Sequence, residues 1–143
     1  MILQNAEVVG NWKLIAFETV LDDEPAPQHL FGNSPSGFMI LTVEGRMIAI
    51  ITADGRTSGT SDAERAALHK SMLAYSGKYR VEGSEFITIV DTSWNELWNG
   101  TEQRRKFDLQ GGKLKIETVP APMSNFPGKS GYSRLVWERE SSV

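Results

Sequence analysis

A chain of 143 residues, 40% hydrophobic and 23% charged, has the length and apolar content of one ordinary folded domain, so the whole of 1–143 is read as a single unit. Its 15 Lys plus Arg against 18 Asp plus Glu leave a net charge of −3, which offers no basic surplus for general nucleic-acid binding. The absence of Cys excludes disulfides, thiolate metal sites, iron–sulfur clusters and a cysteine nucleophile, and two histidines, His29 and His69, are too few for a His-rich zinc site. Neither metal nor cofactor is expected.

The amino-terminal Met-Ile-Leu-Gln-Asn-Ala-Glu lacks the basic start and long apolar run of a secretory signal. No apolar stretch approaches the roughly 20 residues needed to cross a bilayer. The expectation is a soluble, cytoplasmic protein without a membrane partner. The first strand is expected over 12–20, rich in aromatic and β-branched residues and stopped by Leu-Asp-Asp-Glu-Pro, a solvated acidic turn without the spaced oxygen ligands of a calcium loop. A loop from Pro25 to Pro35 leads to strands over 37–43 and 46–52, joined by Glu44-Gly45 as a hairpin.

Ser61-Asp62-Ala63-Glu64 reads as a capping box, because a Ser at the N-cap and a Glu three residues on satisfy each other's free backbone donors. The helix it opens is expected from about Asp62 to Ala74, with Ala67, Leu68, Ser71, Met72 and Tyr75 on one stripe. Further strands are expected over 77–81, 86–92, 101–109 and 113–119, the last two joined by Asp-Leu-Gln-Gly-Gly, and a final one over 132–138. Short connections between about eight strands favour an antiparallel meander, all-β, closed or nearly closed into a barrel, with the helix covering one opening. A two-sheet sandwich is the rival architecture, and no internal repeat is visible.

Alternation along Thr101–Leu109 places Gln103, Arg105, Phe107 and Leu109 on one face. If Phe107 points inward, Arg105 and Gln103 also enter the barrel, where a guanidinium needs a carboxylate or an anionic ligand. Both a ligand-orienting pair and an Arg paired or solvated at the barrel mouth fit this pattern. Asp91 ends the apolar run Phe86–Val90 and fits either a general acid or base beside a cavity or a structural partner of Arg105. The run is apolar on both faces, so alternation does not say which set is internal. Met39 and Leu41 are expected to join Phe107 in lining the pocket, with Tyr79 and Trp94 among the aromatics at its mouth, alongside Tyr75 and Trp98. His29 and His69 are expected at the surface. Asn99-Gly100-Thr101 matches a glycosylation sequon that carries no weight without a secretory signal.

Gly10-Asn11-Trp12 resembles the Gly-x-Trp signature of lipocalins and their calycin relatives. With Phe31–Gly37, Thr42–Met47, Tyr75–Tyr79, Trp98–Gln103 and Leu135–Arg139 following in order, nearly the whole chain is similar to the lipocalin-like domain family of bacteria and fungi. The resemblance implies a small cupped barrel with an internal cavity. It also implies that Trp12 plugs the closed end beneath an Arg of the last strand, Arg139 in preference to Arg134. Relatives commonly carry histidine near the positions of Thr88 and Ile89, and this departure argues against histidine-dependent chemistry.

Neither a phosphate loop, since Gly55–Thr60 lacks the Gly-Lys-Ser/Thr ending, nor a Gly-x-Ser-x-Gly elbow is present. Two readings remain foremost: a module that binds a small hydrophobic or aromatic molecule, and an enzyme that isomerises, cyclises or hydrates such a molecule in the same cavity. A barrel packed solid is the third. A small hydrophobic or aromatic ligand is the expected partner, and a homodimer is left open.

Overall fold

The computed structural model describes residues 7–141. Nine strands form one antiparallel sheet: β1 Gly10–Leu21, β2 Ser36–Leu41, β3 Arg46–Thr52, β4 Met72–Glu82, β5 Glu85–Ser93, β6 Glu102–Gln110, β7 Lys113–Thr118, β8 Ala121–Pro122 and β9 Ser130–Arg139. Each strand from β1 to β6 pairs with the next, β7 pairs with β9, and β9 returns to β1. With β8 a two-residue addition to the flank of β9, the barrel proper has eight strands and is closed. Closure leaves no long open edge, which is the hazard of an open sheet of this size.

Strict alternation of burial follows from the pleat. Phe17 on β1, Met39 and Leu41 on β2, Met47, Ala49 and Ile51 on β3, and Leu114 and Ile116 on β7 all enter one hydrophobic core. On the outer face of the β2–β3 hairpin, Phe38 stands opposite Ile50 and Ile40 opposite Ile48, apolar cross-strand pairs that steady the hairpin while remaining exposed. Strand β5 faces inward through Phe86, Thr88 and Val90, because these residues pair with Val81, Tyr79 and Gly77 of β4, which are buried. Ile87 is fully buried on the outside, between Arg80 and Arg104, whose guanidinium groups both reach Glu102. This explains the doubly apolar reading of that strand: one face fills the barrel, and long charged side chains cover part of the other.

The helix, α1, runs Asp62–Lys70 and opens with the capping box read from Ser61 and Glu64. It is shorter than expected. Met72, Leu73 and Ala74 belong to β4, where they pair with Thr52, Ile51 and Ile50, so the hydrogen-bonding demand of a seven-residue β3 overrides the helical spacing. The supposed stripe therefore mixed two elements, and α1 itself contains no buried residue. Strand β2 likewise ends at Leu41 because Thr42 accepts the turn bond from Gly45, whose φ is +97°. No helix among the described residues is long and apolar enough to cross a membrane.

The closed end of the barrel is built on Trp12, which is fully buried and whose Nε1–H donates to the Val8 carbonyl at 2.9 Å. The Arg139 guanidinium lies 4.3 Å from the centre of the Trp12 ring and donates to the carbonyls of Val9 at 2.7 Å and Glu7 at 2.8 Å. Gly10 is required beside them: its φ is +143°, and an added Cβ would stand 2.6 Å from Arg139 Nη1. Arg134 is engaged elsewhere, with Glu117 at 2.9 Å. Trp12→Ala is expected to cost about 3–5 kcal/mol in denaturant unfolding, a large part of an ordinary domain's stability. A loss below about 1 kcal/mol would remove the plug role.

Candidate functional site

At the end of the barrel opposite Trp12, the interior opens into a cavity of about 580 Å³. Its inner walls are Phe17, Phe31, Met39, Ala49, Ile51, Ile116, Leu135 and Trp137. Space remains because Ala49 is small and the facing β7 and β9 positions, Thr118 and Ser133, are short and polar. Trp137 is buried against this wall, and its Nε1–H has no hydrogen-bond partner among the described residues.

The mouth is formed by the last turn of α1, the start of β4, the 3₁₀ turn Glu96–Trp98 and the connection after β7. Trp94 and Trp98 meet edge to face at 4.9 Å, and Tyr75 lies 5.2 Å from Trp98. His69 Nε2 stands 2.9 Å from the Trp94 carbonyl and ties the end of α1 to this aromatic wall. Arg56 holds the same helix end through the Ser71 hydroxyl and the Leu68 carbonyl, both at 3.0 Å.

Polar groups converge from β6. Arg105 Nη2 donates to Gln103 Oε1 at 2.9 Å, Gln103 Nε2 donates to Thr101 Oγ1 at 2.8 Å, and Thr101 Oγ1 donates to the Trp98 carbonyl at 2.6 Å. A continuous hydrogen-bonded chain thus joins the guanidinium inside the barrel to the aromatic mouth. Arg105 Nη1 donates to the Arg104 carbonyl at 3.3 Å, and Arg105 makes no ion pair among the described residues.

Of the residues nominated from the sequence, Arg105, Gln103, Trp94 and Met39 line the cavity, and the mouth aromatics Tyr75 and Trp98 join them. The other four lie elsewhere. Asp91 is on the outside of the barrel, paired with Arg46 at 2.5 Å and accepting from Ser76 Oγ at 2.9 Å, so neither the cavity nor Arg105 is its partner. The reason is the pleat: Phe86, Thr88 and Val90 face inward, so Asp91, next after Val90, faces outward, and the bulge that sets Ser76 opposite Thr92 and Gly77 opposite Val90 leaves Thr92 exposed as well. Tyr79 is buried, stacked on Phe86 at 5.1 Å, with its hydroxyl donating to the Thr42 carbonyl at 2.7 Å. Burial first, and then the Glu44 carboxylate, push its phenol above the usual range. Leu41 is core, paired with Gly10 and Met47 below the cavity. Phe107 points inward as alternation requires but packs against the core beside Ile116.

Sequence reasoning did not nominate the walls from Phe17, Phe31, Ala49, Ile51 and Trp137, nor His69 and Lys70 at the mouth. The hydrophobic walls carried no distinguishing signal, since core and cavity positions have the same alternation. His69 is exposed, as expected, and borders the opening all the same.

The Arg46 hydrogen bond, followed by that of Ser76, holds the Asp91 carboxyl below its usual range. A lowered folded-state pKa gives stability that is present above the unfolded carboxylate pKa and fades as the pH falls through the folded value. Because both partners are nearly half exposed, Asp91→Asn is expected to cost no more than about 1 kcal/mol at neutral pH, with the difference from wild type vanishing in acid. Thermal or urea unfolding across pH checks this. A loss that persists at low pH would mean that Asp91 acts through something other than its charge.

Residues 9–140 match the family model described as lipocalin-like domain. No curated protein sequence matches the chain. Among solved structures, an uncharacterized protein from Bacteroides eggerthii DSM 20697 is similar at 17% identity, covering 92% of this chain and 98% of that one with a TM-score of 0.45. With a closed barrel plugged by Trp12 and a family match over nearly its whole length, this chain belongs to the lipocalin-like domain family.

Proposed function

We propose that this protein binds a small hydrophobic or aromatic molecule inside its barrel. The observation that carries the reading is the cavity of about 580 Å³, apolar within and aromatic at its mouth. That volume lies inside the range of about 300–1,000 Å³ typical of small-molecule sites, which are mostly apolar with a few polar groups that fix orientation. Arg105 and Gln103 are those polar groups here, Met39 belongs to the apolar wall, and Trp94 flanks entry.

Binding is favoured over catalysis in the same cavity by the identity of the lining. Isomerisation, cyclisation or hydration calls for a group that moves a proton, and the carboxylate nominated for it, Asp91, is held outside by Arg46. The described lining contains no Asp or Glu, and its one imidazole, His69, stands at the exposed rim with Nε2 2.9 Å from the Trp94 carbonyl.

Nile red, a neutral apolar dye, tests the reading. Its emission is expected to rise and shift to the blue on saturable binding to the native protein. Ala49→Phe, which fills the cavity from β3, is expected to weaken that binding at least about tenfold, with the β-sheet circular dichroism retained to show that overpacking of about 1–3 kcal/mol has not unfolded the domain. Asp91→Asn, on the outer face, should bind as wild type does. Undiminished binding by a folded Ala49→Phe would place the dye elsewhere and remove the cavity from the function.

A further inference from the structure

The inner wall narrows the chemistry of the ligand. Arg105 projects from β6 into the cavity, half-buried, and its hydrogen-bond partners among the described residues are neutral: the Gln103 amide oxygen and the Arg104 carbonyl. The carboxylates that hold ion pairs on β5, β6 and β7 do so on the outer face. Glu85 and Glu102 hold Arg104, Glu117 holds Arg134, and Asp91 holds Arg46. Alternation enforces this separation, because Arg104 and Arg105 are neighbours on one strand and must point to opposite faces.

The cavity is therefore one-signed. Its cationic side chains are Arg105 within and Lys70 at the mouth, with His69 adjacent, and no acidic residue lines it among the described residues. A guanidinium drawn partly out of water against neutral partners is under-compensated, and low-dielectric walls strengthen its attraction for any anion that enters. Its planar fork is suited to an oxyanion with two acceptors side by side. The single internal cation matches one negative charge, and the aromatic and aliphatic walls match an apolar body attached to it.

Resting on the binding reading above, we infer that the cavity selects an organic monoanion, a carboxylate on an apolar or aromatic body, and that Arg105 reads its charge. Gln103 holds one edge of the guanidinium and is itself anchored through Thr101 to the Trp98 carbonyl, so it acts as a positioning residue. The ligand's carboxylate lies against the β6 wall, and its body lies over Met39, Ile51 and Phe17.

The matched probes are 4-(1-pyrenyl)butyric acid and its primary amide, which differ in charge and hardly in shape, titrated at neutral pH by pyrene emission and Trp quenching. The acid is expected to bind wild-type protein at least about tenfold more tightly than the amide, a preference that weakens with added salt. In Arg105→Met the ratio is expected to fall to near one because the acid loses far more than the amide. Asp91→Asn is expected to keep the wild-type ratio. Should Arg105→Met misfold by circular dichroism, Arg105→Gln is to show the same collapse. Equal binding of acid and amide to wild type, or equal losses in a folded Arg105 variant, would overturn charge selection and leave the binding reading standing. Failure of both probes together with Nile red would overturn both.

Discussion

Everything in this fold depends on β1 pairing with two strands at once. Over Gly10–Lys13 it bonds to β2, and over Trp12–Leu21 it bonds to β9, from the far end of the chain. A bulge between Leu14 and Ala16 interrupts the β9 pairing just past the end of the β2 pairing, where it bends the strand and raises its local twist. Without this return pairing, β1 and β9 would be open edges and the sheet would have no inside. Closure also brings Trp12 opposite Arg139, so the register that shuts the barrel builds the plug at the same time.

The inside is then divided by residue size and polarity. Near the plug, Trp12, Leu41, Met47, Tyr79, Phe86 and Leu114 fill the space with bulky side chains. Towards the other end a polar row crosses the sheet: Arg105 opposite Thr118, with the Thr118 hydroxyl accepting from the Ser133 backbone N–H, and Ser133 beside the buried Thr19 at 3.1 Å. Short hydroxyl side chains satisfy one another there without filling the volume that Leu or Phe would occupy. The cavity is thus a consequence of which residues meet across the β6, β7, β9 and β1 pairings.

The mouth is held differently from the barrel. Helix α1 buries no residue and is fixed by polar contacts from Arg56 and His69. An element with few buried apolar contacts belongs to the low-stability end of a structure, which suits a cover over an opening. The chain from Arg105 through Gln103 and Thr101 to the Trp98 carbonyl links this end mechanically to the interior charge.

Strand positions, the two tight hairpins, the capping box and the inward set Gln103, Arg105, Phe107 and Leu109 were all legible in the sequence, because pleat, turn and cap are local physics with periods of a few residues. The Gly-Asn-Trp segment and the ordered blocks after it carried the family likeness in the same linear way. The end of α1 was not legible, since Met72–Ala74 obey the hydrogen-bond needs of β3, twenty residues earlier in the chain. Nor was the side on which Asp91 lies, because both faces of β5 are apolar and only its pairing with the buried Gly77, Tyr79 and Val81 of β4 shows which one is internal. Arg105 was visible as a guanidinium that had to find a partner, and alternation alone turned Glu102 to the opposite face; that Glu85, Asp91 and Glu117 also lie outside was decided by the strand pairings across β4 to β9. The sequence by itself determined where strands, turns and the helix cap fall, and the inward face of a strand that alternates, such as β6. Which faces look at one another across the interior, and hence where space and uncompensated charge remain, is a property of pairings between distant strands that only the tertiary structure contains.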